Sequence, residues 1–280
     1  MKTYTKHFYV FIFALSLVFT SCNQQQKKTE KEADAAEETA TETTTETAKP
    51  KIILEKLGGS PAYADAALVL DTPNEIKKNK AGEMDFSFQI QNYELGAITA
   101  GPNAEKLANS GKGQHIHFIL NNQPYSAHYE PNFKKEVPEG VHHLVAFLSR
   151  SFHESVKNEN SVVVRKLVIG ENPTDSLGIN METPTLIYSR PKGTYIGKDT
   201  EQILLDFFVL NTKLAENGHK VIAKINGEEF TITEWVPHVI KGLPMGEITI
   251  ELQLVDANGT VVPGPFNQVT RKVWLKEKAE

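Results

Sequence analysis

The chain has 280 residues, 40% of them hydrophobic, and a formal net charge of −5 at pH 7. That balance gives no reason to expect nucleic acid binding, so no nucleic acid partner is expected. With one cysteine in the whole chain, no internal disulfide can form.

Lys2 and Lys6 precede an apolar run from Phe8 to Phe19, which ends in Thr20-Ser21-Cys22. A basic start, a short apolar stretch and small residues mark residues 1–21 as a secretory signal. The run is too short to cross a bilayer as a mature helix. The segment resembles the lipobox of bacterial lipoproteins, with Phe19 in place of the usual Leu. The resemblance implies cleavage before Cys22, diacylglycerol on its sulfur and a palmitate-like acyl chain on its amine. It implies a membrane partner through the lipid anchor, in the envelope of a Gram-negative-type bacterium, with the outer membrane favoured over the inner. An ordinary cleaved signal with an incidental cysteine is the alternative. Residues 23–50 carry four lysines and seven acids, with no aromatic or large aliphatic residue. Such a segment cannot bury a core, so residues 22–50 are expected to be a lipidated, disordered tether.

Alternating or β-branched runs follow at short spacing: 52–54, 67–70, 84–90, 115–120, 141–148 and 162–169, then 204–210, 221–225, 229–232, 248–254 and 269–275. Only residues 103–108 suggest a helical turn. The expected fold is all-β, with two tandem immunoglobulin-like antiparallel sandwiches over 51–170 and 181–276. A Pro- and Gly-containing linker at 171–180 separates them.

The two halves repeat each other. GQHIHFILNNQPYSAHY (113–129) corresponds to GHKVIAKINGEEFTITEW (218–235), and VPEGVHHLVAFL (137–148) to LPMGEITIELQL (243–254). The second copy keeps the apolar alternation without the histidines, so folding does not require them. Asn226-Gly227 is a two-residue hairpin signal, and Asn121-Asn122 is its counterpart. Such a turn pairs His117 with Ser126 and His115 with His128. Ile116, Phe118 and Leu120 then face the core with Tyr125 and Ala127. His115, His117 and His128 converge on the opposite, outward face.

Three neutral imidazoles suit a transition metal, zinc or copper being the expected cofactor. Exposed imidazoles would release metal as pH falls below about 6.5. A solvated polar face is the plainer alternative. By the same alternation His142 points inward and His143 outward, toward the far end of the neighbouring strand. The segment SRSFHESVKNEN (149–160) sits beside His115, where the second copy has only DANG. It reads as an elaborated rim, with Arg150 and His153 as anion-binding candidates. Arg190 and Lys192, in the loop-like SRPKGT (189–194), are further candidates.

The segments GSPAYADA, GQHIHFILNNQPY, LSRSFHESVKN, YSRPKGTYIGKDT and WVPHVIKGLPMG resemble an uncharacterised bacterial lipoprotein family commonly called phosphopeptide-binding proteins. The resemblance implies a phosphorylated or otherwise anionic ligand. The preferred reading is a non-enzymatic, membrane-anchored envelope protein that holds a transition metal or small anion at the histidine hairpin. A metal-dependent envelope enzyme and an adhesion module with incidental histidines are the alternatives.

Overall fold

The computed structural model describes residues 51–278. Cys22, the apolar run before it and the acidic segment lie outside the described residues. After β1 (Ile53–Lys56) come β2 (Ala67–Leu70), β3 (Glu75–Lys78), β4 (Gly82–Gln91), the helical turn α1 (Asn103–Lys106), β5 (His115–Leu120), β6 (Ser126–His128), β7 (Asn132–Val137), β8 (Gly140–Ser149) and β9 (Val162–Ile169). The second half supplies β10 (Thr185–Arg190), β11 (Gly193–Ile196), β12 (Ile203–Leu210), β13 (Lys220–Ile225), β14 (Glu228–Ile232), β15 (His238–Lys241), β16 (Gly246–Val255) and β17 (Gln268–Lys276).

These strands form two immunoglobulin-like sandwiches of one topology. In the first, a sheet ordered β2-β4-β7 faces one ordered β3-β9-β8-β5-β6. In the second, β10-β12-β15 faces β11-β17-β16-β13-β14. The first strand of each five-stranded sheet pairs in parallel, β3 with β9 and β11 with β17. Residues 171–180 carry neither strand nor helix. Most strands that alternation does not reveal are short or polar, whereas β10, TLIYSR, is buried along its whole length and so shows no alternation. In β7, NFKKEV, mostly polar side chains leave only Phe133 and the buried Val137 as apolar anchors. Backbone pairing with β4, rather than an apolar pattern, makes it a strand.

One strand crosses between the halves. β1 pairs antiparallel with β15, Ile53 opposite Lys241 and Lys56 opposite His238, and so extends the second sandwich's sheet. The expected first domain, 51–170, therefore gives its opening strand to the second. Gly242 makes this close approach possible. Its φ of +72° lies in the region that favours glycine, and an added Cβ would stand 2.2 Å from the Lys51 carbonyl oxygen.

The sandwiches stack sheet against sheet. Ile119 of β5 and Val145 and Phe147 of β8 pack with Ile187 of β10, Phe208 of β12 and Phe266. A smaller cluster joins Leu107 and Phe152 to Leu204 and Val239. The five-stranded sheet of the first copy is thus covered on both faces, and β5 and β8 are buried along nearly their whole length. This corrects the expectation that the histidine face of β5 looks into solvent. An antiparallel sheet alternates apolar and polar when one face is wet; here the polar residues of that face meet a second protein layer.

Candidate metal centre

The Asn121-Asn122 turn forms as expected. Both residues have φ of 53°, and the Gln123 N–H donates to the Leu120 carbonyl at 3.0 Å. The pairing beyond it slips by one residue. Phe118 pairs with Ser126, His117 with Ala127 and Ile116 with His128. Pro124 and Tyr125 together therefore stand opposite the single residue Ile119, a bulge at a residue that has no N–H to donate to the ladder. In the second copy the register holds, with Ile225 opposite Glu228.

The slip exchanges two side chains between faces. His128 turns to the core side, where its ring stacks 3.5 Å from Phe133. It is not part of the cluster, which corrects the expected trio. Tyr125 moves to the histidine side, with its ring centroid 3.5 Å from that of His117 and the planes 12° apart.

His153 supplies the third imidazole. Its loop is not elaborated: the bridge Ser149–Ser155 has the same spacing as Val255–Val261 in the second copy. Arg150 N–H donates to Glu154 O at 2.8 Å, as Asp256 N–H does to Thr260 O. His153 then occupies the place of Gly259. Its φ of 69° compares with 82° at the glycine. A non-glycine residue in that region costs about 1 kcal/mol, and such positions collect at functional sites.

His115, His117 and His153 each offer one nitrogen, and the three atoms lie within 4.8 Å of one another. His115 Nε2 is 2.9 Å from His117 Nε2 and 3.2 Å from His153 Nδ1. Nitrogens bound tetrahedrally at about 2.0 Å stand about 3.3 Å apart, so this spacing can hold a metal ion. The far nitrogens are anchored. His115 Nδ1–H donates to Gly113 O at 2.8 Å, which leaves its Nε2 bare in the neutral ring. His117 Nδ1 lies 3.2 Å from Ser189 Oγ. Ser189 sits where β10 shifts register between Tyr188 and Arg190, a bulge that aims its hydroxyl at the first sandwich. Such outer contacts set tautomer and ring orientation at metal sites.

The environment keeps the rings neutral. His115 and His117 are fully buried, and His153 is half-buried. Desolvation pushes His115 down to about 4 and holds His117 and His153 well below the ordinary imidazole value, with Arg190 and Lys192 adding to the effect. Neutral imidazole is the form that binds metal.

The expected anion ligands divide. Arg150 is fully engaged. It pairs with Glu154 at 2.9 Å and donates to the carbonyls of Ser155 and Pro61, so its donors are not available to a phosphate. Lys192 reaches the cluster's cover: its Nζ donates to the Tyr125 carbonyl at 2.7 Å and stands 4.2 Å from that ring. Arg190 lies 5.5 Å from the same ring, donates to Tyr195 Oη at 3.1 Å, and has no carboxylate partner among the described residues. His142 points inward as expected and donates to Pro138 O at 2.9 Å. His143 stacks on Phe266, in the other part of the seam.

Sequence reasoning missed Ser189 and Asp206. Asp206, completely buried, joins the sandwiches by accepting from Ser155 Oγ at 2.9 Å and pairing with Lys157 at 2.8 Å. Its signal was an acid inside the apolar run ILLDFFVL.

No protein-family model and no curated protein matches the chain. Solved structures show a weak likeness to it. The fibronectin(III)-like modules of Clostridium thermocellum CbhA share 13% identity, over 75% of this chain and 94% of theirs, with a TM-score of 0.27. The two tandem V-type regions of VCBP3, a v-region-containing chitin binding protein, share 10% identity over 75% of this chain and 99% of that one, with a TM-score of 0.22. Both similarities concern the sandwich architecture alone.

Proposed function

We propose that this protein is a non-enzymatic, lipid-anchored envelope protein that holds a transition metal, zinc or copper, on His115, His117 and His153. The single observation that carries the reading is the convergence of three ring nitrogens, two from strand β5 and one from the loop after β8, in a copy of the fold whose twin has none of them. Imidazole ligands suit zinc and copper, and no thiolate is available among the described residues to compete. The complete burial of His115 and His117 supports holding over catalysis, since a catalytic metal must meet its substrate. The anchor rests on the signal-like segment and Cys22. No helix among the described residues is long and apolar enough to cross a membrane.

Elemental analysis of the purified protein, followed by calorimetric titration of zinc and Cu(II) into the metal-free form, tests the reading. One equivalent of either metal, lost in His115→Ala, is the expected result. Absence of binding by the wild type would overturn it.

A further inference from the structure

Three histidines leave a four-coordinate metal one ligand short, and the charge around them is uncompensated. No carboxylate touches the three rings among the described residues, while Arg190 and Lys192 crowd their cover. A divalent ion placed there needs an anionic ligand. Tyr125 stands where one is required. Its side chain is 5% exposed, its ring lies face to face with His117, and its hydroxyl oxygen is 3.3 Å from His153 Nδ1. That distance matches the edge of a tetrahedron of ligands at about 2.0 Å, as do the two short contacts among the histidines.

We propose that Tyr125 is the fourth ligand, bound as its phenolate, so that the site is a closed His3Tyr centre. This rests on the metal-binding reading above. On loading, the phenol O–H bond breaks, an oxygen–metal bond forms, and the proton leaves to the buffer. The ion and its ligands then carry a net charge of one rather than two. Burial pushes the free Tyr125 phenol up and Arg190, beside the ring, offsets only part of that, so the phenolate forms with the metal rather than before it. The Pro124 bulge is what places the hydroxyl: without the one-residue slip, Tyr125 would face the first sandwich's core. The second copy, in the register its turn dictates, buries no tyrosine at the equivalent place; Phe230 stands there.

The test uses Cu(II), zinc and the full mature protein. Cu(II) added to wild type should produce a phenolate-to-copper charge-transfer band in the visible. Tyr125→Phe, which keeps the stacked ring, should lose the band and bind copper at least about tenfold more weakly. Tyr129→Phe is the control, because Tyr129 lies near His115 but its hydroxyl is held by Ser110 Oγ at 2.7 Å; it should keep the band. Zinc calorimetry in buffers of different ionisation enthalpy should count one more proton released by wild type than by Tyr125→Phe. Copper bound by wild type without the band, or a band that survives in Tyr125→Phe, would overturn the proposal while leaving the histidine site intact. No binding of either metal by wild type would overturn both.

Discussion

His153 and Gly259 hold the same position in the two copies of the repeat, with φ of 69° and 82°. The loops around them have equal length and the same backbone hydrogen bonds. One copy places a glycine where the backbone asks for one; the other places an imidazole of the histidine cluster there and accepts the strain.

Replacing His153 with Gly therefore separates function from stability. Relief of about 1 kcal/mol of backbone strain offsets the lost contacts of a half-buried ring. His153→Gly should unfold in denaturant within about 1 kcal/mol of the metal-free wild type, yet show no calorimetric binding of zinc or copper. Wild-type affinity in this variant would remove His153 from the site.

His117 and His128 should behave in opposite ways. His117→Ala deletes a completely buried ring stacked on Tyr125 and should cost about 2–4 kcal/mol as well as metal binding. His128→Ala should keep full metal affinity, because its ring stacks on Phe133 on the other face. Denaturant melts and titrations of both variants would show it.

The pH response follows from burial. The folded imidazole of His115 sits at about 4, against about 6.5 in the unfolded chain. Between those values the unfolded chain binds the extra protons, so the stability of the metal-free protein should be full above about pH 6.5 and fall progressively toward pH 4. Metal affinity should show no inflection near pH 6.5, since the folded rings hold no proton to displace: it should stay nearly flat in Tyr125→Phe and rise steadily, by about tenfold per pH unit, in wild type, which releases the phenol proton. A break in either curve near pH 6.5 would indicate exposed imidazoles. Melting temperature and zinc affinity, measured every half unit, give both curves.

Asn122 is a turn residue with a second task. Its side chain donates to Leu186 O at 3.2 Å and accepts from Tyr188 N at 2.8 Å, both in the second sandwich. Asn122→Gly, the residue of the twin turn, should keep the turn's positive φ and lose about 1–3 kcal/mol from unpaired buried groups. A melting curve as stable as wild type would show that the staple is dispensable.

Cys22 is the predicted attachment point to the membrane. Cys22→Ala should shift the protein to the soluble fraction after cell fractionation. Equal membrane retention of wild type and variant would rule the anchor out.

The strands β2, β5 and β9 are legible in the sequence to the residue, because an apolar run flanked by turn signals defines them locally. The repeat is legible too, and with it the idea that the histidines are surplus to folding. Two things were not. Alternation shows that His117 and Ile116 face opposite ways, but not that the second sandwich covers the His117 side. The register past Asn122 depended on Pro124, whose missing N–H breaks the ladder without altering the apolar pattern. His153 lay in view as a loop residue, and only its pairing in space with the β5 histidines gives it a role.

The exchange of β1 also decides how the molecule takes a mechanical load. Lys51 leads directly into a strand hydrogen-bonded to β15, on the sandwich that carries no histidine cluster. A pull on the chain from upstream of Lys51 is received first by that ladder and the core behind it. The histidine-bearing sandwich lies farther along the chain, so tension at the N-terminal side must strip β1 from β15 before it can reach the hairpin that shapes the site.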